Sequence, residues 1–153
     1  MSTEDLERRV QVLEDVEAIK QLKARYCLAC DDNFNVNALM DLFAEDAIWE
    51  GDNLGLHQGR EAIRDFYRGI TSLLTFAIHY VTNPVIDVEG DRARGSWYLL
   101  EPGTRRNEEA LWIVGRYDDE YARIDGRWLF KRVNLKILIR SPYEDGWVKN
   151  RLG

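Results

Sequence analysis

Tyr121-Ala122-Arg123-Ile124-Asp125-Gly126-Arg127-Trp128-Leu129-Phe130 is the stretch on which the architecture turns. Asp125 and Gly126 both tolerate positive φ, and the residues on either side alternate between apolar and polar. That is the pattern of a tight β-hairpin. Working outward, the period of two extends back to Phe76 and on to Ile139. It predicts strands over Phe76–Val88, Arg92–Leu100, Glu109–Ile124 and Arg127–Ile139, with Glu89-Gly90-Asp91 as a second turn. Successive hairpins predict an antiparallel, strongly twisted sheet.

Upstream the period changes. Val10, Leu13, Val16, Ile19, Leu22, Tyr26 and Ala29 recur at three- and four-residue steps, so Thr3 to about Asp32 reads as one long amphipathic helix. Asn35 can cap a short second helix carrying Leu39, Leu42 and Phe43. Ala47 to Gly51 reads as a short strand, and a third helix runs from Arg60 to about Thr71, burying Ile63, Phe66 and Tyr67. Helices and strands are segregated, which is the α+β class, with three helices left to cover one sheet face. One domain spanning 1–153 is expected: a helix over 1–32, the main sheet over 76–139 and a tail over 140–153 that Tyr143 and Trp147 pin down. A chain of 153 residues and 17.9 kDa fits that size.

With 21 Lys and Arg against 27 Asp and Glu, the net charge is −6. An acidic chain without a basic cluster is a poor partner for nucleic acid or anionic membrane. Its longest apolar runs, such as Leu111–Val114, are far too short to span a bilayer. The opening Met1-Ser2-Thr3-Glu4-Asp5 is polar and acidic rather than leader-like, and two cysteines cannot staple a domain of this size, so a cytoplasmic location is expected. No phosphate loop, dinucleotide fingerprint or nucleophile elbow is present, and two His with two Cys make a poor zinc set. No cofactor or metal is expected.

The candidate functional residues are polar ones interrupting apolar faces. One face of the last strand reads Trp128, Phe130, Arg132, Asn134, Lys136, and the other Leu129, Lys131, Val133, Leu135, Ile137. Cations on a face that begins as core either line a polar cavity or mark a strand emerging at the sheet edge, because an unpaired buried charge is costly. Ala93, Gly95, Trp97 and Leu99 lead in the same way to Glu101. His79, in an apolar strand, is either a satisfied core residue or a base suited to proton transfer near neutrality. Asp31 ends the long helix, where its charge opposes the macrodipole by roughly 0.3–1 kcal/mol. It is either solvated or held by a partner. His57 reads as a surface loop residue. Cys27 and Cys30 lie late in the helix, away from the N-terminal field that activates a thiol, and read as core.

The segments Leu13–Tyr26, Asp31, Leu42–Trp49, Gly59–Ile63 and Tyr121–Trp128 together resemble the SnoaL-like family of the nuclear-transport-factor-two-like superfamily. That resemblance implies a cone-shaped α+β barrel. His79–Asn83 and Phe130–Asn134 look like the matching strands of the hexachlorocyclohexane dehydrochlorinases. Gly95–Leu99 and the first helix look like the bile-acid 7α-dehydratases, and the scytalone dehydratases share the architecture. In those enzymes a strand histidine paired with a first-helix aspartate removes a proton from carbon. The resemblance therefore implies His79 as general base, Asp31 as its orienting partner, Tyr26 as a donor to a substrate oxygen, and Arg132 offsetting negative charge. Trp49, Trp97, Glu101, Asn134 and Lys136 are the implied substrate-binding set, with Glu101 and Lys136 departing in residue type. The expected activity is a lyase on a small apolar cyclic or aromatic molecule, expelling water, halide or formaldehyde. An isomerase using the same dyad is one alternative. The other is a non-catalytic binding or assembly module, whose cavity side chains would fill. The resemblance also implies a homotrimer, with Leu129, Val133, Leu135 and Ile137 as an apolar outer face.

Overall fold

The computed structural model describes residues 2–153. Ser2 caps the first helix, its Oγ accepting the Asp5 N–H at 3.1 Å, and Glu4 and Asp5 suit the positive end of the dipole. This helix, α1, spans Thr3–Asp31. Val10 and Leu13 stand in solvent, so the buried stripe starts only at Asp15 and continues through Ile19, Leu22, Lys23, Tyr26, Cys27 and Cys30. There follow α2 (Val36–Met40), β1 (Phe43–Gly51), β2 (Gly55–Gln58), α3 (Arg60–Ile70), β3 (Leu74–Ala77), β4 (Tyr80–Glu89), β5 (Arg92–Arg105), β6 (Ala110–Ile124), β7 (Arg127–Pro142) and α4 (Gly146–Lys149).

The strands form one curled sheet in the order β2-β1-β7-β6-β5-β3, with β4 also pairing β5. It is mixed rather than antiparallel throughout: β1 runs parallel to β7, pairing Trp49 with Val133. Asp125 (φ 49°) and Gly126 (φ 76°) make the β6–β7 turn as their residue types require. The expected strand over Phe76–Val88 is broken at Ile78-His79. β3 pairs the outer end of β5 up to Gly103, and β4 resumes at Leu100. The break therefore faces Pro102 and Glu101, and Ile78 N–H donates to Pro102 O across it at 3.1 Å.

Two bulges in β7 alter which side chains face inward. Tyr121 pairs with Phe130 but Glu120 with Arg132, which leaves Lys131 as an extra residue. Gly115 pairs with Ile137 and Val114 with Ile139, which leaves Leu138 extra. Each added residue reverses the alternation of faces. Trp128 and Phe130 point into the core, and beyond the first bulge Val133 and Leu135 take over that role, both buried. The expected apolar outer face of Val133 and Leu135 is thus interior. The aromatic centre packs Phe130 at 5.3 Å ring separation from each of Tyr26, Phe43 and Tyr121. Among the described residues no helix is long and apolar enough to cross a membrane.

Candidate active site

Between α1, α3 and the inner sheet face lies a cavity of about 450 Å³, a size typical of small-molecule pockets. It has not been filled by side chains, as a purely structural module would require. Its deep end gathers Tyr26, Trp49, Tyr67, His79, Glu101 and Tyr117.

Asp31 closes α1 just where the gap between β3 and β4 delivers His79. Its Oδ1 accepts two hydrogen bonds from that residue, one from the backbone N–H and one from the ring Nδ1, both at 2.8 Å. This double contact supplies the partner that a carboxylate at a helix C-terminus lacks. With Asp31 as acceptor, Nδ1 carries the proton and Nε2 keeps its lone pair. The imidazole is only 5% exposed. Asn33 and Phe34 leave the helix in the left-handed region (φ 50° each), which sets the Phe34 ring edge-on to His79 at 6.1 Å. A bulky residue there signals local strain that the surroundings must hold in place.

On the other side of the ring, Glu101 Oε2 stands 3.6 Å from Nε2. Burial pushes this carboxyl above its usual range, and His79 pulls it only partly back. Tyr26, at the same end, accepts from Tyr67 Oη at 2.8 Å and from Trp49 Nε1 at 3.3 Å. Tyr117 is a third hydrogen-bonding neighbour of the same hydroxyl. Burial raises the Tyr26 and Tyr67 phenols well above the ordinary value, so they stay neutral donors.

Of the nine expected site residues, Tyr26, Asp31, His79, Trp49 and Glu101 meet at this end. Arg132, Asn134 and Lys136 do not. The Lys131 bulge turns Arg132 and Asn134 to the outer side of the sheet, where Arg132 Nη1 contacts Glu50 at 3.3 Å, and Lys136 is exposed opposite Arg116. Trp97 points inward but belongs to a separate core chain. Its Nε1 donates to Tyr121 Oη (3.0 Å), Tyr121 to Asp119 (3.1 Å), and Asp119 accepts Lys23 Nζ at 2.7 Å. His57 is in β2 rather than a surface loop, its ring stacked 4.4 Å from Phe66 beside Trp49. Cys27 and Cys30 are buried and unpaired, and burial pushes the Cys27 thiol up to about 11.

Sequence reading missed Tyr67 and Tyr117 as site residues, and Lys23 as a core cation. Lys23 was detectable, since it shares the helical spacing of Ile19, Leu22 and Tyr26. The two tyrosines carried no local signal, because only packing distinguishes a cavity-lining phenol from a core one. Among the described residues no three His, Cys, Asp or Glu side chains converge as a metal site.

Known proteins resemble this chain over most of its length. Residues 11–134 match the SnoaL-like domain. Gamma-hexachlorocyclohexane dehydrochlorinase of Sphingobium indicum is 28% identical over 120 residues, covering 76% of each chain. Two solved structures from Novosphingobium aromaticivorans are similar throughout. One, described as an aromatic ring hydroxylase, is 28% identical over 87% of this chain and 96% of its own, with a TM-score of 0.79. The other, described as a scytalone dehydratase, is 26% identical over 86% and 89%, with a TM-score of 0.78.

Proposed function

The chain belongs to the SnoaL-like domain family, and from that premise we propose that it is a lyase that eliminates a leaving group from a small, largely apolar cyclic or aromatic substrate. The observation carrying this reading is the His79 imidazole in the cavity wall, gripped by Asp31 through Nδ1 with Nε2 on the side of Glu101. Nε2 takes a proton from carbon, and Asp31 stabilises the imidazolium that forms. The electron pair of that C–H bond becomes the new double bond as the leaving group departs from the neighbouring carbon. Glu101, whose carboxyl burial pushes above its usual range, is placed to hand a proton to a departing hydroxyl, while Tyr26 donates to a substrate oxygen. A base alone contributes about 10²–10⁴-fold, so the dry aromatic surroundings and the fixed donors supply the remainder. Names of relatives support elimination as the reaction class, since a dehydrochlorinase and a dehydratase are among them.

The test is to follow release of halide, water or formaldehyde from a panel of ring compounds with the native protein and with His79→Gln. Native turnover that is lost in the variant, while cavity binding persists, supports the reading. Equal turnover by both refutes the dyad. Proton relocation within the substrate without any released group replaces elimination by isomerisation.

A further inference from the structure

The outer end of the same cavity has a different chemistry from its floor. Arg105 and Arg106, where β5 gives way to the turn before β6, and Arg140 on β7 all line the mouth. Three guanidinium groups at one opening are unexpected in a chain of net charge −6. Local compensation is slight. Arg105 pairs with Glu109 at 2.6 Å, whereas Arg106 and Arg140 pair with no Asp or Glu side chain among the described residues. Asp52, the acid lining the cavity away from the dyad, is engaged by the Ile137 N–H at 3.0 Å. The mouth also holds a sign of what it takes. Arg105 Nη2 and Arg140 Nε both donate to the backbone oxygen of Gly153, each at 3.1 Å, so two guanidinium groups already converge on a single oxygen. Each guanidinium has five N–H donors, and Gly153 occupies one from each.

We propose that this arginine-lined mouth binds a carboxylate carried on the outer end of the substrate, which makes the substrate an elongated ring compound with one anionic end. Geometry sets the length. Glu101 and Arg105 share the inner face of β5 four residues apart, so their Cα atoms are roughly 13 Å from one another at strand rise. The wall between them is apolar, built by Leu111 and Ile113 of β6 with bare Gly103. A single ring reaching the dyad falls short of the arginines, and two linked rings span the distance. The planar guanidinium fork matches a carboxylate through paired hydrogen bonds, and a cationic mouth offsets the repulsion that an acidic chain exerts on an incoming anion. This inference rests on the reading of the cavity as the substrate site.

The experiment compares biphenyl-4-carboxylate with biphenyl-4-carboxamide, which has the same shape and no charge, by quenching of tryptophan fluorescence, Trp49 being the tryptophan in the cavity wall. Native protein is expected to bind the carboxylate about tenfold more tightly at low salt, an advantage that shrinks as salt is added. In the Arg106→Gln/Arg140→Gln double variant the two probes should bind equally, with amide affinity unchanged as the check that the cavity is intact. Equal binding by the native protein overturns the proposal, and so does a carboxylate preference that survives the double substitution. Both readouts are repeated in His79→Gln, since they measure binding rather than turnover. A preserved preference without any detectable catalysis sinks only the lyase reading. Catalysis on neutral compounds without the preference sinks only this one.

Discussion

Replacing Lys23 by Met removes a positive charge from the centre of the core. Lys23 is fully buried and Asp119 is 2% exposed; Nζ lies 2.7 Å from Oδ2 and 3.3 Å from the centroid of the Tyr117 ring. Met occupies nearly the same volume, so the loss is electrostatic rather than a cavity. Left alone, Asp119 has two courses. It can remain ionised, and breaking a buried pair costs about 3–5 kcal/mol. Alternatively it takes up a proton, which at pH 7 costs about 1.36 kcal/mol for each of the roughly three units separating that pH from an ordinary Asp pKa, about 4 kcal/mol in all. Both courses converge on a penalty of about 3–4 kcal/mol. Burial already pushes the Asp119 carboxyl upward against the pull of Lys23, and deleting the ammonium raises it further. A carboxyl whose folded pKa is raised destabilises the fold only above its unfolded pKa, so the penalty must shrink as the solution is acidified, to about 1.5 kcal/mol at pH 5. Urea unfolding followed by tryptophan fluorescence at the two pH values measures both numbers. Lys23→Met/Asp119→Leu, which deletes both charges, should return to within about 1–2 kcal/mol of the native protein. A single-variant penalty below about 1 kcal/mol, or one that is the same at both pH values, refutes the reasoning.

Asp31→Asn keeps the shape but cannot hold Nδ1–H as a carboxylate does, so turnover should fall about 10²–10⁴-fold with probe binding unchanged; steady-state kinetics alongside fluorescence titration separates the two. If Glu101 is the proton donor, its raised pKa makes activity decline as pH rises through that value, since the protonated form is the active one. Glu101→Gln should lower the rate and abolish this alkaline limb, and an unaltered pH–rate profile in the variant counts against the assignment. Cys27, with a thiol near 11 and little exposure, should resist an aromatic disulfide reagent at pH 8 in the native state and react promptly in urea; fast native labelling contradicts its burial.

How much of this was readable beforehand depends on the range of the signal. The Asp125-Gly126 hairpin, the long capped helix and the helix-then-sheet order follow from periodicities of two and 3.6 and from turn chemistry, all of which act within a few residues. Residue types singled out for the site were likewise visible as polar interruptions. Pairing was not. Asp31 and His79 stand 48 positions apart, and their contact exists because α1 ends at the break between β3 and β4. Arg132 faces away from the cavity for a related reason: alternation along β7 does not carry across a position where the partner strand supplies one residue fewer.

Local rules, then, carry the class of the fold, its elements and the presence of a histidine and an acid fit for proton transfer. They cannot say which way a side chain points once a strand has bulged, because the extra Lys131 is defined by its register with β6 and not by its own neighbours. Nor can they gather Glu101, Tyr67 and three arginines around one hollow, since those neighbours are created by sheet curvature and helix packing over distances at which the chain retains no periodicity to read.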